Sequence, residues 1–337
     1  MRIVFLLVLL LITGTPLGCA SAPHPTEPKW AIAIHGGAGV IAPDAPAAER
    51  EAYTRSLAIA LTAGREELSK RGTALDAVHK VVLILEDDPL FNAGRGAVFT
   101  ANGTHELDAS IMDGRALACG AVAGVTTVRN PIILARMVME QSPHVFLMGS
   151  GAEEFATVMG VERVPNSYFD TERRRQRLEE WKAEQAVKAQ KPRGTVGAVA
   201  LDSHGNLAAA TSTGGMTGKR WGRVGDSPVI GAGTYANKVC AVSCTGTGEE
   251  FIRFGVARDI AALMEYKHLS ANAAAGKVVY GKLQPDDGGV IVVSATGEIA
   301  AEFNTIGMFR GAANSNGRFD VAIWKNNERV PVAAENK

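Results

Sequence analysis

The apolar positions of the chain fall into three kinds of run. Residues 3–12 (IVFLLVLLLI) are apolar without a break behind a lone Arg2. That run is too short to span a bilayer by itself. With the small residues of GCASA after it, residues 1–22 read as a secretory signal. Beyond it, short runs bounded by glycine (WAIAIHGG, LACGAVAGVTTV, TVGAVALD, LAAATSTGG, VCAVSCTG, GGVIVVSA) read as buried strands, and THELDASIMDG and EIAAEFNT read the same way. The third kind has helical spacing: residues 47–70, then TALDAVHKVVLILEDD from Thr73 to a stop at Pro89, then PIILARMVMEQS, 249–267 and 270–283. Residues 171–190, with RRRQRLEEWKAEQ at their centre, are charged and helix-prone but only weakly amphipathic, and they predict an exposed connector over about 165–194. Strands cluster with strands and helices with helices. This argues against a parallel βαβ array and predicts stacked sheets with helices outside.

Composition narrows the picture only a little. The 337 residues are 46% hydrophobic, enough for a sizeable core, and the formal net charge is +0, which offers no footprint for nucleic acid. Cys240 and Cys244 lie four apart in a strand-like run, so both point to one face. An extended strand holds such a pair too far apart for a disulfide, and no histidine stands at zinc spacing, so free buried thiols are expected. At the N-terminus PLGCA resembles a bacterial lipoprotein signal with Cys19 as the lipidated residue; cleavage near Ala20 or Ala22 is the alternative. Either outcome predicts an exported, periplasmic protein, membrane-anchored in the first case.

HGGAGVIA (35–42) superficially matches a dinucleotide-binding fingerprint. Pro43 and Pro46 forbid the helix that motif requires, and no acidic residue stands at a second strand end about twenty residues on. An esterase oxyanion loop fails too, because the chain has no Gly-x-Ser-x-Gly elbow. The residues themselves predict a tight glycine turn with a structural His35.

KPRGTVGAVALD (191–202) places Gly194-Thr195 at the seam between the charged segment and the following strands. A threonine hydroxyl is a weak nucleophile, and one way to activate it is a free α-amine on the same residue, which titrates near 8. Cutting the Gly194–Thr195 bond would provide that amine. On the dipeptide alone, an ordinary loop-to-strand boundary is the simpler reading. Downstream, Arg223 and Asp226 sit three apart in a glycine-rich loop, where a guanidinium could clamp a carboxylate and an aspartate an ammonium. A surface turn with a local ion pair is the alternative. Thr245 and Gly246 in SCTGTGEE offer donors suited to an oxyanion hole, or form an ordinary strand-to-helix turn.

Taken together, HGGAG, PLFNAGRGAVFTANGTHELDASIMDG, GTVGAVALD, ATSTGGMTGKRWGRVGDSPVIGAGTYAN, SCTGTGEEFIR and FNTIGMFRG occur in the order found in plant-type L-asparaginases. These are also isoaspartyl (β-aspartyl) peptidases and belong to the N-terminal-nucleophile hydrolases. The chain resembles them from Trp30 to about Gly311. The resemblance implies an α+β fold, a four-layer αββα sandwich, and cleavage between Gly194 and Thr195. It implies an α subunit over 23–194, a β subunit over 195–337, and an (αβ)₂ assembly. By position it makes Thr195 the nucleophile, Thr213 its supporting hydroxyl and Asn92 an active-site support. Arg223, Asp226 and Gly248 then belong to the substrate clamp, and Thr245 and Gly246 to the oxyanion hole. LEDDPLF resembles a segment whose backbone carbonyls, here those of Leu85, Glu86 and Phe91, hold a structural Na⁺; no cofactor is implied for catalysis. The substrate expected is L-asparagine or a β-aspartyl dipeptide, hydrolysed to L-aspartate. A glycosylasparaginase acting on glycan–asparagine amides and a non-catalytic amino-acid-binding protein are the alternatives. Ile306 departs from the pattern, since the family often carries Glu there.

Overall fold

Alternation along the strands sorts side chains into separate cores. The computed structural model describes residues 29–39, 41–184, 194–325 and 330–331. On β1 (Ala31–Ala38), Ile32 and Ile34 enter one core while Ala31 and Ala33 enter another. On β5 (Val196–Leu201), Val196, Ala198 and Ala200 face the first, and Val199 and Leu201 the second. A sheet buried on both faces has to be covered on both, and that requirement builds the layers.

The large sheet has nine strands in the order β13-β12-β11-β1-β5-β6-β2-β3-β4, antiparallel except where β3 meets β4. Its further members are β2 (Leu107–Asp113), β3 (Ala118–Val125), β4 (Phe146–Met148), β6 (Leu207–Thr213), β11 (Gly307–Asn314), β12 (Phe319–Trp324) and β13 (Val330–Pro331). Three helices, α1 (Ala47–Ser69), α2 (Ala74–Asp87) and α3 (Pro131–Gln141), cover its outer face through Leu57, Leu61, Val78, Val81 and Ile132. The small sheet runs β10-β9-β8-β7, with β7 (Thr234–Ala236), β8 (Cys240–Gly246), β9 (Gly288–Ser294) and β10 (Ile299–Phe303). Its outer face packs Cys240, Val242, Cys244, Val290 and Val292 against α7 (Val256–Lys267) and α8 (Ala271–Gly281). Ala33, Val199, Ala209, Ala241 and Ile291 join the inner faces of the two sheets. The result is the expected α+β sandwich in four layers. Cys119, Cys240 and Cys244 are free thiols, and no helix among the described residues is long and apolar enough to cross a membrane.

Two local readings change, and the charged, helix-prone segment does carry a helix. His35 to Ala38 lie inside β1, with a bulge between His35 and Gly37 opposite β11, so the glycines bend a strand instead of closing a turn. The helix expected over 249–267 is broken by Gly255, whose φ of 56° divides it into α6 (Gly248–Phe254) and α7. The charged segment contains α5 (Glu172–Glu184), exposed along most of its length but docked through buried Leu178. Completing the chain order, α4 (Gly149–Val158) follows β4 directly.

Gly64 marks where α1 sits closest to the sheet: a Cβ there would stand 2.4 Å from Ile32 Cδ1 and 2.7 Å from Val81 Cγ2. Gly64→Val is expected to destabilise the fold by about 1–3 kcal/mol through overpacking. Gly151→Ala, on α4 with nothing within 4 Å of the new methyl, should hold or raise stability because alanine is the better helix former. Denaturant unfolding of both variants checks the pair.

Candidate active site

The layer between the sheets is apolar at one end and polar at the other. Where β5 begins and β6 and β8 end, the inward positions are Thr211, Thr213, Ser243 and Thr245, joined by His35 from β1 and Asp108 and Ser110 from β2, all buried. Antiparallel pairing of β5 with β6 places Thr195, just before β5, beside Thr213 at the end of β6. Their hydroxyl oxygens are 3.2 Å apart, and Thr195 Oγ1 is 2.7 Å from the carbonyl oxygen of Gly194. That carbonyl also accepts from Asn92 Nδ2 at 2.8 Å and from Thr213 Oγ1 at 3.2 Å. Asn92 is fixed in this orientation because its Oδ1 accepts from the Val98 N–H, while Nδ2 also donates to Gly215 O.

A chain of hydroxyls runs behind Thr195. His35 Nδ1 lies 3.0 Å from the Thr195 carbonyl oxygen, which can only accept, so Nδ1 carries the proton and Nε2 accepts from Ser243 Oγ at 2.9 Å. Ser243 is then free to accept from Thr211 at 2.7 Å, and Thr211 from Thr234 at 2.6 Å. Ser110 closes the chain, 2.8 Å from Thr234 Oγ1 and 2.6 Å from Ser227 O. Burial holds His35 neutral, lowering its pKa to about 3 against the small raising effect of the Thr195 carbonyl. Gly197 makes room for this pair, since a Cβ there would stand 2.1 Å from Ser243 Oγ and 2.5 Å from His35 Nε2.

One cavity gathers much of the expected set. Gly194, Thr195, Thr213, Arg223, Asp226 and Gly246 line it together with Met216. Asp226 is buried, its Oδ2 has no hydrogen-bond partner among the described residues, and burial raises its pKa to about 7 despite the Arg223 charge nearby. Arg223 donates from Nε and Nη2 to the two carboxylate oxygens of Glu249, each at 2.9 Å. Gly248 lies against this group, where a Cβ would be 2.8 Å from Arg223 Nη2. Asn92 and Thr245 stand one contact behind the lining. The Thr245 hydroxyl accepts from the Ala38 N–H at 3.2 Å, and its own proton remains to donate.

Leu85, Glu86 and Phe91 lie elsewhere, at the C-terminal end of α2 and just beyond it. Glu86 is fully buried on the outer face of β6. Its Oε1 accepts from Ser212 Oγ at 2.6 Å and from the Ile132 N–H, and burial raises its pKa to about 8. The carbonyl oxygens of Glu86, Pro89 and Phe91 crowd the Gly94–Gly96 turn: a Cβ on Gly94 would be 2.4 Å from Glu86 O, and one on Gly96 2.0 Å from Phe91 O.

The hydroxyl chain and Glu249 were not anticipated. Polar residues at inward positions of otherwise apolar strands (Ser110 in LDASIMD, Thr211 in LAAATST, Ser243 in CAVSCTG) are the signal that could have found the first. Nothing local marks the second.

The family model described as asparaginase matches residues 28–323. This chain belongs to the asparaginase family, whose members are N-terminal-nucleophile hydrolases. It is similar to the isoaspartyl peptidase of Escherichia coli, 52% identical over 295 residues, covering 84% of this chain and 92% of the relative. It is also similar to a probable isoaspartyl peptidase/L-asparaginase 2 of Arabidopsis thaliana, 46% identical over 88% of this chain and 99% of the relative. The human isoaspartyl peptidase/L-asparaginase is 46% identical over 84% of this chain and 92% of its own. Membership in a family of hydrolases sets aside the reading as a non-catalytic binding protein. The expectation of an exported, periplasmic location is corrected by comparison with these relatives. Residues 1–22, with Cys19, lie outside the described residues.

The buried neutral histidine predicts an acid-labile fold. Its folded pKa of about 3 lies below the ordinary value of 6.5, so unfolding takes up a proton below about pH 6.5. Its contribution is therefore present above that pH and lost as pH falls toward 3, by up to about 1.4 kcal/mol per pH unit. His35→Gln should be less stable than wild type at pH 7, with a gap that narrows steadily at pH 6 and pH 5 in urea titrations.

Proposed function

We propose that this asparaginase-family protein is a threonine amidohydrolase that cleaves β-aspartyl dipeptides and L-asparagine, releasing L-aspartate, after cutting its own chain at Gly194–Thr195. The observation that carries the reading is the single cavity in which Thr195 and Thr213 face Arg223 and Asp226. A nucleophile is thus held beside one group for a carboxylate and one for an ammonium, the two charges an aspartyl unit presents.

In the first reaction Thr195 Oγ1 attacks the Gly194 carbonyl carbon. Negative charge develops on Gly194 O, where Asn92 Nδ2 and Thr213 Oγ1 already donate. The C–N bond breaks, the hydroxyl proton ends on the Thr195 nitrogen, and the resulting ester is hydrolysed by water. Thr195 is left with a free amine, which titrates near 8 and can serve as base at neutral pH. In turnover that amine takes the Thr195 hydroxyl proton as Oγ1 attacks the substrate's β-carbonyl carbon. Arg223 holds the α-carboxylate and Asp226 the α-ammonium, with Gly248 beside them. Thr245 and the Gly246 N–H stabilise the oxyanion. The proton passes to the departing ammonia or peptide amine, and water releases aspartate. The relatives' names and the family membership support this substrate class, and the family resemblance supports an (αβ)₂ assembly.

The family resemblance points to a carbonyl-held monovalent cation at the end of α2, where the carbonyl oxygen of Glu86 lies against Gly94 and that of Phe91 against Gly96. We assign a structural Na⁺ to the carbonyls of Leu85, Glu86 and Phe91. It would supply positive charge among those oxygens and brace the loop that carries Asn92.

Two measurements test these assignments. Intact mass and N-terminal sequencing should give a fragment running from Thr195 to Lys337, active on β-aspartyl dipeptides, whereas Thr195→Ala remains one inactive chain; a cleaved, active Thr195→Ala sinks the mechanism. Replacing Na⁺ by choline should lower the melting temperature by several degrees, and an unchanged value removes the cation.

A further inference from the structure

The Arg223 guanidinium sits in a slot. A Cβ on Gly225 would be 2.7 Å from Nη1, and one on Gly248 would be 2.8 Å from Nη2, so glycine at both positions lets the planar group lie close against two stretches of backbone. Rotation within the slot is stopped at one edge. Glu249, in the first turn of α6, takes Nε and Nη2 in two parallel bonds of 2.9 Å each. A guanidinium has two edges able to grip a carboxylate with two bonds, the Nε/Nη2 edge and the Nη1/Nη2 edge. With the first occupied, only the second remains, on a residue that lines the cavity beside Thr195.

We propose that Glu249 is a positioning residue for substrate binding: it locks the Nε/Nη2 edge of Arg223 so that the Nη1/Nη2 edge is preset for the α-carboxylate of the aspartyl unit. This rests on the proposed substrate class. Arg223 is a long side chain whose rotamer freedom would otherwise be lost when substrate binds. Fixing it beforehand strengthens binding without touching the reacting atoms. Glu249 is suited to the task because it is bonded to Arg223 while its side chain is 44% exposed. The arginine's hydrogen bonds hold its pKa below the ordinary carboxylate value, so it is ionised throughout the working pH range. The opposite relation is also chemically open, with Glu249 occupying the arginine and having to be displaced, and it predicts the opposite sign.

Steady-state kinetics of processed wild type, Glu249→Gln and Glu249→Ala on L-asparagine and a β-aspartyl dipeptide test this, with L-aspartate as competitive inhibitor. Glu249→Ala should raise KM about tenfold, corresponding to one charged hydrogen-bonded contact. Glu249→Gln keeps one acceptor oxygen and should fall between the two. The inhibition constant for L-aspartate should rise by the same factors, with kcat within about twofold of wild type. An unchanged KM, a KM that falls, or a loss confined to kcat overturns the proposal. If the alanine variant does not fold, the glutamine variant decides by the same criteria. Wild type that cleaves neither substrate overturns the substrate assignment itself, and with it the positioning role of Glu249.

Discussion

A hydroxyl buried between two sheets must find a partner or destabilise the fold by roughly 1–3 kcal/mol, and this protein buries a row of them. The pairing from Ser110 through Thr234, Thr211 and Ser243 to His35 satisfies that constraint, and from Thr234 to His35 every donor points the same way. Direction matters because the row ends on the carbonyl oxygen of Thr195. A carbonyl can only accept, so it dictates the tautomer of His35, and His35 dictates the proton of Ser243. The position of one residue at the mouth of the cavity is thereby tied to contacts between β2, β6, β7 and β8. The two sheets cannot slide against each other without breaking it.

The layer architecture was legible in advance because it follows from period-two alternation, which survives in a single strand read alone. Ile32 and Ile34 opposite Ala31 and Ala33 already imply a sheet covered on both faces. Local readings failed where a distant partner decides the outcome. His35 to Ala38 read as a turn from their glycines, yet β11 draws them into a strand and absorbs the irregularity as a bulge. Gly255 looked tolerable inside a helix until its left-handed backbone is seen to end one helix and begin the next. The site residues were named through family motifs, while the hold of Glu249 on Arg223 depends on a loop meeting the start of α6 across 26 positions of sequence, which no spacing rule encodes.

Three buried acidic groups of the sandwich share one condition. Asp108, Asp226 and Glu86 are buried, and in each case burial is the first cause of a raised pKa. Asp226 Oδ2 and Asp108 Oδ2 lack partners among the described residues. The cavity is therefore unfavourable to its own negative charge when empty, and an ammonium brought to Asp226 would relieve it. Such a site discriminates by charge as well as by shape.

The order of the large sheet has a topological consequence for the bond between Gly194 and Thr195. β1, from the first part of the chain, lies between β11 and β5, both from the second, and β2 lies against β6. Three ladders, β11/β1, β1/β5 and β6/β2, thus stitch the two parts together on both sides of the seam. Breaking the covalent link leaves the weave whole. The halves are interleaved like the fingers of clasped hands, and neither can leave without the other unfolding.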